Sequence, residues 1–434
     1  MPTPADGNLV RFLGWPRGVN NRQRETDGGG FDRDSGYRND WLRAAQNVDI
    51  SESGNLLRRE GYSLFAAGVA HSLWSSPELN YGLAVIDGWL SLVDSLGAAP
   101  LLEVTSSRPV SYCAVNGEVY WSNGEELGRI ATDATAVHWG LPVPAAPLVT
   151  VGAGTLPAGR YLVSCTCLDA EGAEGGASEP VEVDVPEGGG LVVEVPPGAP
   201  ASVERVAVYV SHPNGRDLYR VARADPGAVV AVGVSDLGRG ALLDTQDFRP
   251  PRPGHIVRYL AGRIYTARGD AVFFTEPLRY GLCRPSQGAF LFPAPPQLVE
   301  PSTDGLYVAH EGRTVFIYGT DPYDVREVHV GAFGAVRGTA SLVPGSRLGA
   351  AVDFVPVWWT DRGVLVAGMP GGQLEMLTED RLGVPRVEAG ATLLREHEGL
   401  SQIVSTLRRP GETNTMGASD SVVAEVRRNC VKLN

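Results

Sequence analysis

The sequence lacks long apolar runs and is almost devoid of lysine. No run approaches the roughly 18 apolar residues of a membrane helix, so we expect no membrane insertion by this chain. The N-terminal MPTPADGNLVRFLGW has neither a basic start nor a following apolar stretch, and we expect no secretory signal. Only one of the 37 basic residues is a lysine, Lys432. We attribute this to a GC-rich genome, with arginine chosen for interface contacts as the alternative.

Cysteines are few and have no metal-binding or redox spacing. They are odd in number and form no CxxC pair: Cys113, Cys165, Cys167, Cys283 and Cys430. Cys165 and Cys167 would share one face of a strand, which is a poor geometry for a disulfide between them. We therefore expect reduced thiols, synthesis in the cytoplasm and no metal site.

The signatures of common enzymes are also absent. The chain has no HExxH, GxSxG or GxxxxGK(S/T) motif, and its seven histidines are far apart in sequence. We expect no catalytic residues and no cofactor, and hence a protein that is not an enzyme. Because a fold can bring distant groups together, a hydrolase on a β-propeller scaffold stays open as an alternative.

The net charge is acidic and unevenly distributed. It amounts to −13, with a pI of about 5.1, which argues against tight binding of nucleic-acid phosphates. Residues 144–250 hold fourteen acidic residues against seven arginines, about half of the net charge. We interpret this as a solubility feature, with a wall that does not adhere to DNA as the alternative.

Glycine and proline are abundant instead. The 54 glycines and 32 prolines are scattered singly between short apolar runs, a pattern that predicts an all-β chain with many turns. Short strands follow one another from Leu56 to about Trp139. The segments VIDG-WLSLV (85–93) and AVNG-EVYWS (114–122) predict hairpins, because Asp-Gly and Asn-Gly supply the positive φ of tight turns.

The same plan returns after residue 254, in 256–277, 305–322 and 356–377. Each segment has an apolar strand, a turn with glycine and a second apolar strand. Weak repetition of such units is typical of a degenerate β-propeller, for which we predict about five or six blades, the last closed by both termini. A jelly roll or a tandem of sandwiches would give similar strands.

Between Pro142 and about Arg252 the sequence pattern changes. About seven short strands lie between the proline clusters PVPAAP and RPPRP. The segments AGRYLVSCTCLDAEGAEGGASEP and VYVSHPNGRDLYRVA resemble a fibronectin type III or immunoglobulin-like module, which implies a β-sandwich inserted in the propeller. The predicted domains are an extended N-terminal arm, a first propeller part, the insertion, a second propeller part and a C-terminal closing segment, at 1–55, 56–142, 143–252, 253–395 and 396–434.

The N-terminal arm is polar and cannot bury enough surface to fold alone. We predict that it crosses to a neighbouring subunit. Its GVNNR (18–22) and the following LRAAQNVDISESGNLLRREGY (42–62) resemble the opening of tail-hub or nozzle virion proteins, the head-to-tail connectors of short-tailed bacteriophages. The second segment reads as a strand, a Ser/Gly turn and a returning strand that enters the first blade. The motif residues, which we take as interface candidates, are Gly18, Val19, Asn20, Arg22, Asn47, Val48, Asp49, Gly54, Arg58, Arg59, Gly61 and Tyr62.

The resemblance implies a structural protein of the phage tail, with a β-propeller body. It further implies a homo-oligomeric ring of about six copies, assembled in the host cytoplasm. Portal and adaptor proteins would lie above the ring and fibre, spike or needle proteins below. Genomic dsDNA would pass through without specific binding during retention and ejection. The insertion departs from the family pattern. The alternative function is a receptor- or glycan-binding β-propeller adhesin of a phage or bacterium.

Weaker signals favour ordinary structure. Residues 32–36 and 169–174 resemble the starts of calcium loops, but each lacks ligands. Residues 268–270 spell Arg-Gly-Asp between two strands, where we expect a hairpin turn. In the pair Trp358–Trp359 we expect one side chain in the core and the other at the surface or an interface.

Overall fold

The computed structural model describes residues 19–22, 42, 48–50, 55–58, 64–197, 200–397, 400–410 and 420–425. Apart from three short 3-10 turns, the regular structure of this part is β, so the prediction of an all-β chain is confirmed. The chain divides into two compact units. We call them the terminal unit (Met1–Phe65 with Phe292–Asn434) and the central unit (Ala66–Leu291).

The terminal unit opens with a small hairpin of two antiparallel strands, β1 (Val48–Ile50) and β2 (Leu56–Arg58). Val48 lies opposite Arg58, and Ile50 opposite Leu56. Both predicted strands are therefore present and pair with each other, whereas the residues between them lie outside the described part. Among the described residues β2 has no other strand partner, and the first four-stranded sheet begins at Ala70.

The central unit begins with two antiparallel sheets, each a meander of consecutive strands. Both predicted hairpins are confirmed, since Asp87-Gly88 and Asn116-Gly117 each have two positive φ values and connect directly paired strands. One apolar core, which includes Leu83, Leu90 and Trp121, is shared by the two sheets. The strands are β3 (Ala70–Ser75), β4 (Gly82–Ile86), β5 (Trp89–Asp94), β6 (Gly97–Glu103), β7 (Ser111–Val115), β8 (Glu118–Ser122), β9 (Leu127–Ile130) and β10 (Ala136–Val137).

Eight strands follow in two further sheets. They are β11 (Leu148–Leu156), β12 (Gly159–Leu168), β13 (Glu174–Ala177), β14 (Val181–Val185), β15 (Gly189–Glu194), β16 (Arg205–Ser211), β17 (Leu218–Ala224) and β18 (Val229–Val232). One sheet has the order β11-β15-β18; in the other, β12 lies between β16 on one side and β13 and β14 on the other. A single core of valines, leucines and cysteines lies between them, so the segment is a two-sheet sandwich. Its strands are divided three against five, unlike an immunoglobulin constant domain, and its immunoglobulin-like identity stays a prediction.

A third meander completes the central unit. Its strands are β19 (Ile256–Leu260), β20 (Arg263–Arg268), β21 (Ala271–Glu276) and β22 (Arg279–Cys283), and the short β23 (Ala289–Leu291) also pairs with β21. It packs against the β7–β10 sheet through a core that includes Trp139 and Ile264. The Ser111 hydroxyl accepts the backbone N–H of Val257 at 2.9 Å, which links the first strands of the two sheets.

The terminal unit continues with two meanders and a three-stranded sheet. Trp358 and Trp359 are both fully buried, one in the core shared with β24–β27 and the other in the core shared with β32 and β33. The prediction of one surface tryptophan was therefore wrong, because this sheet has a core on each face. The strands are β24 (Leu298–Ser302), β25 (Gly305–His310), β26 (Arg313–Tyr318), β27 (Arg326–Gly331), β28 (Ser341–Pro344), β29 (Phe354–Trp359), β30 (Leu365–Met369), β31 (Gln373–Met376), β32 (Ala389–His397), β33 (Leu400–Arg408) and β34 (Asp420–Glu425).

Polar side chains of the β24–β27 sheet hold the turn at residues 370–372 in the next sheet, here called the PGG turn. The Tyr318 hydroxyl donates to the carbonyl oxygen of Gly371 at 2.6 Å, and the Asp304 carboxylate accepts the N–H of Gly371 at 2.8 Å. The Tyr307 hydroxyl donates to the carbonyl oxygens on either side of the turn, those of Met369 and Gln373. Successive sheets are thus joined by hydrogen bonds as well as by apolar contact.

Candidate docking site of the N-terminal motif

The structure places the motif residues in two short segments. Those it describes are Val19, Asn20, Arg22, Val48, Asp49 and Arg58; Gly18, Asn47, Gly54, Arg59, Gly61 and Tyr62 lie outside the described residues. Val48 and Asp49 belong to β1 and Arg58 ends β2. Residues 19–22 form a separate segment, which we call the arm segment.

The arm segment is held in a defined local conformation. Val19 forms a parallel bridge with Leu42, and the N–H of Asn20 donates to the carbonyl oxygen of Leu42 at 2.6 Å. The side chain of Asn20 is nearly fully buried, and its carbonyl oxygen accepts the N–H of Arg22 at 3.1 Å. Such an Asx turn is a local arrangement that asparagine favours. The turn presents the intervening residue, Asn21, to the loop that follows β31.

Asn21 joins the arm segment to that loop by three hydrogen bonds. Its backbone N–H donates to the carbonyl oxygen of Arg381 at 3.0 Å. Its side-chain oxygen accepts the N–H of Gly383 at 2.7 Å, and its side-chain nitrogen donates to the carbonyl oxygen of Gly383 at 3.1 Å. The amide therefore pairs with both polar groups of one residue, as a neighbouring strand would. Among side chains, only an amide offers a carbonyl acceptor and N–H donors in one planar group.

The receiving loop is itself anchored to the sheet below it. The carbonyl oxygen of Thr378 accepts the N–H groups of Arg381 and Leu382 at 3.1 and 2.9 Å. Thr378 is fully buried, and its hydroxyl accepts the N–H of Leu365 in β30 at 2.8 Å. The position of Gly383 is thus fixed by the β28–β31 sheet, so the loop offers the arm segment a preformed pair of hydrogen-bonding groups.

Asn21 and Gly383 were not among the residues singled out from the sequence. Asn21 lies inside GVNNR, yet nothing in one sequence shows which of two adjacent asparagines reaches another part of the chain. Gly383 contributes only backbone atoms, and a Cβ there would lie 3.6 Å from the Asn21 side-chain oxygen, an ordinary contact. Neither residue type nor spacing therefore marks this glycine as a partner.

The other sequence-derived sites have structural roles where they are described. Asp169 accepts the N–H of Ala173 at 2.6 Å within a turn. Glu174 accepts the hydroxyls of Thr166 and Tyr209, both at 2.6 Å, and burial together with this carboxylate raises the pKa of Tyr209. Residues 268–270 form the β20–β21 turn, whereas residues 32–36 lie outside the described part. In that part, no group of three or more His, Cys, Asp or Glu side chains is placed to hold a metal ion.

Four cysteines are described, and all are free thiols. Burial raises the pKa of Cys113, Cys165 and Cys283 to about 12, and that of Cys167 to about 11. Because the thiolate is the reactive form, these side chains are inert near neutral pH. None of them has the lowered pKa of a nucleophile.

Comparison with known proteins places the chain in no family. No family model and no curated relative matches it. Among solved structures, the WD40 domain of Pan2 from Neurospora crassa is similar over 77% of this chain and 86% of that one, with 9% identity and a TM-score of 0.31. Hsv2 from Kluyvelomyces marxianus is similar over 76% and 85%, with 9% identity and a TM-score of 0.27. TM-scores this low carry no argument about the chain. Within the described residues, no helix is long and apolar enough to cross a membrane.

Proposed function

We propose that this chain is a structural, ring-forming component of a phage tail, a hub or nozzle that docks below the portal and adaptor and continues the DNA channel. The observation that carries the proposal is the docking of the arm segment. Asn21, which lies within the segment that resembles the opening of such virion proteins, makes three hydrogen bonds to the loop at 381–383. A segment that joins subunits needs a defined binding site, and the loop at 381–383 is the site that this proposal assigns to it.

The sheets support a propeller body for this component. Five antiparallel meanders of consecutive strands can be followed in the described residues, and a three-stranded sheet, β32–β34, follows the last of them. Four-stranded meanders repeated along the chain are the building blocks of propellers. On this proposal the three-stranded sheet is the incomplete last blade, and β11–β18 is an immunoglobulin-like module inserted between the second and third blades.

The proposed mechanism is mechanical, with no catalytic step and no cofactor. The ring seals the channel, docks to its neighbours in the tail and conducts the DNA. The acidic insertion lowers the affinity of the assembly for DNA, because it offers few cations to replace phosphate counterions. Several of its acids are already paired with arginine at the surface, as in Arg160 with Asp184 at 3.2 Å and Arg249 with Glu179 at 3.3 Å. These arginines are therefore partly neutralised as phosphate ligands.

Copies of the chain can be joined through the same docking site. In the single chain, Asn21 binds the loop of its own terminal unit. The identical hydrogen bonds can form with the loop of a neighbouring copy if the arm is exchanged, since exchange of an identical element needs no new contact. The predicted crossing of the arm to a neighbour is therefore part of the proposal.

Electron microscopy of the negatively stained full chain tests the proposal, with substitutions at both ends of the docking contact. We expect rings for the natural chain. Asn21→Ala removes the two side-chain hydrogen bonds, and Gly383→Pro removes the N–H donor of one of them. Each substitution, like deletion of residues 1–40, should abolish rings while circular dichroism stays unchanged. Gly383→Ala is the matched control, because its Cβ fits and its N–H is retained.

Two outcomes would overturn the proposal. Unimpaired rings after deletion of residues 1–40 would show that the arm does not assemble the ring. A natural chain that stays monomeric and binds members of a glycan array would instead support the receptor-binding adhesin.

A further inference from the structure

The sequence contains three Asn-Gly dipeptides, at 116–117, 123–124 and 214–215. In such a pair the backbone nitrogen of glycine can attack the side-chain carbonyl carbon of asparagine. A C–N bond forms, the amide C–N bond breaks, ammonia leaves and a five-membered succinimide results. Water then opens the ring to aspartate or isoaspartate. Glycine favours the attack because no Cβ shields its nitrogen. The reaction needs a mobile asparagine amide and a glycine N–H that is not engaged elsewhere.

Asn123 cannot meet these conditions in the folded chain. It is only 1% exposed. Its side-chain oxygen accepts the N–H groups of Glu125 and Glu126 at 2.9 and 2.7 Å, and its nitrogen donates to the Glu126 carboxylate at 2.9 Å. Every polar group of the amide is held, so rotation towards Gly124 would break three hydrogen bonds.

Asn214 is exposed but also held. Its side-chain oxygen accepts the N–H of Arg160 at 3.1 Å. The nitrogen of the following Gly215, the nucleophile in the reaction, donates to the carbonyl oxygen of His212 at 2.9 Å. The side-chain amide of Asn214 and the N–H of Gly215, the two groups that would react with each other, are therefore both hydrogen-bonded elsewhere.

Asn116 differs from both. It is exposed at the tip of the β7–β8 hairpin, with φ of 54° and with Gly117 at 80°. Neither its side-chain amide nor the N–H of Gly117 has a hydrogen bond to the described part of the chain. The equivalent turn in the preceding sheet, Asp87-Gly88, is held by comparison, since Asp87 accepts the N–H of Val69 at 2.8 Å.

We propose that Asn116 is a site of spontaneous deamidation in the folded protein, with water as the co-reactant and ammonia as the leaving group. Aspartate at this position adds a negative charge two residues from Glu118, which already binds Arg129 and Tyr120. Isoaspartate adds a backbone carbon to a two-residue loop. Since loop length fixes the register of a hairpin, that product shifts the pairing of Val115 with Glu118.

The test follows the mass of each Asn-Gly peptide during incubation of the folded full chain at mildly alkaline pH. We expect a gain of one mass unit at 116–117, with isoaspartate detected by enzymatic methyl labelling. Modification at 123–124 and 214–215 should be slower by at least about tenfold, the factor that corresponds to about 1.4 kcal/mol of local opening. The same chain unfolded in denaturant should modify all three sites. Asn116→Gly, which keeps positive φ accessible, should abolish the fast modification.

Two results would overturn the inference. One is equal modification of all three sites in the folded chain, which would show that the hydrogen bonds do not protect. The other is an unmodified Asn116 in the folded chain under conditions where the unfolded chain reacts, which would show that the turn itself protects it. Neither result depends on whether the protein forms a ring.

Discussion

The sandwich core of the central unit and the core between β24–β27 and β28–β31 in the terminal unit consist of different kinds of side chain. The sandwich core consists of valines, leucines and two cysteines, with Tyr161 as its one aromatic member. The core between β24–β27 and β28–β31 contains Tyr307, Phe316, Phe333 and Trp358. Both cores lie between β-sheets. They differ in the side chains that hold the neighbouring sheets together.

Aliphatic β-branched side chains bury apolar surface and carry no polar group, so they fix two sheets by contact alone. Aromatic side chains bury more area each, and tyrosine and tryptophan also bring a hydrogen-bonding group to the far end of the ring. In the terminal unit these groups reach the next sheet: Tyr307 and Tyr318 bind the PGG turn, and Trp359 donates to Ser405 at 2.8 Å. The core between β24–β27 and β28–β31 therefore relies on larger side chains than the sandwich core does.

The largest expected effect is the loss of one of these rings. Trp358→Ala should lower the free energy of unfolding by about 3–5 kcal/mol through the cavity and the lost transfer energy. Val208→Ala in the sandwich removes two methyl groups and should cost about 2 kcal/mol. Urea unfolding measures both, and Trp89→Ala, at a position 43% exposed, is the surface control. Equal costs for Trp358→Ala and Val208→Ala would contradict the comparison.

The next effect concerns the PGG turn. Substitution of its two adjacent glycines distinguishes the cost of a strained backbone conformation from the cost of a steric clash. Gly371 and Gly372 both have positive φ, near 70°. A Cβ at Gly371 meets nothing within 4 Å, whereas one at Gly372 would lie 2.8 Å from the Tyr318 hydroxyl and 2.9 Å from the Phe316 ring. Gly371→Ala should cost about 1–2 kcal/mol for the left-handed conformation alone. Gly372→Ala should cost more in thermal unfolding, and identical melting temperatures for the two variants would show that the ring contact is not tight.

A smaller effect is expected from removing single hydroxyls. Tyr307→Phe leaves two backbone carbonyl oxygens without their donor and should cost about 0.5–1.5 kcal/mol. Tyr112→Phe is the matched control, because the buried Tyr112 hydroxyl has no hydrogen-bond partner among the described residues. Its removal should be neutral or stabilising, since an unsatisfied buried group is costly. Chemical denaturation measures the free energy of unfolding of both variants. A Tyr112→Phe variant that is destabilised as much as Tyr307→Phe would contradict this prediction.

The smallest effect is a dependence on pH. Burial lowers the pKa of His310, which packs on Phe292, below its ordinary value of 6.5. The unfolded chain therefore binds more protons near this pH than the folded chain, so stability is retained above 6.5 and falls as the pH drops below it. His310→Gln should flatten this dependence in thermal melts. An identical slope for His310→Gln and the natural chain would exclude this histidine as the cause.

The sequence predicted the local structure better than the contacts between sheets. The Asp87-Gly88 and Asn116-Gly117 turns follow from residue type alone, because few residues accept two successive positive φ values. The burial of both Trp358 and Trp359 did not follow, since alternation along one strand does not show whether the sheet has a core on one face or on both. That information lies in the neighbouring sheets.

The docking site shows the same limit more sharply. The sequence marked residues 18–22 as a motif, but its receptor is the backbone of Gly383, more than 350 residues away. The three hydrogen bonds of Asn21 go to backbone groups of the loop, which every residue type carries, so these bonds have no residue pattern in the loop sequence. The Asn21 amide was overlooked beside Asn20 because only the fold distinguishes the buried asparagine from the one that binds.

The mass of the assembled full chain in solution tests the central proposal most directly. Mass photometry at low salt should give a species of about six times the 46.1 kDa of one chain, and Asn21→Ala should shift it to the mass of one chain. A natural chain that stays at 46.1 kDa over the accessible concentrations would contradict a ring-forming tail component.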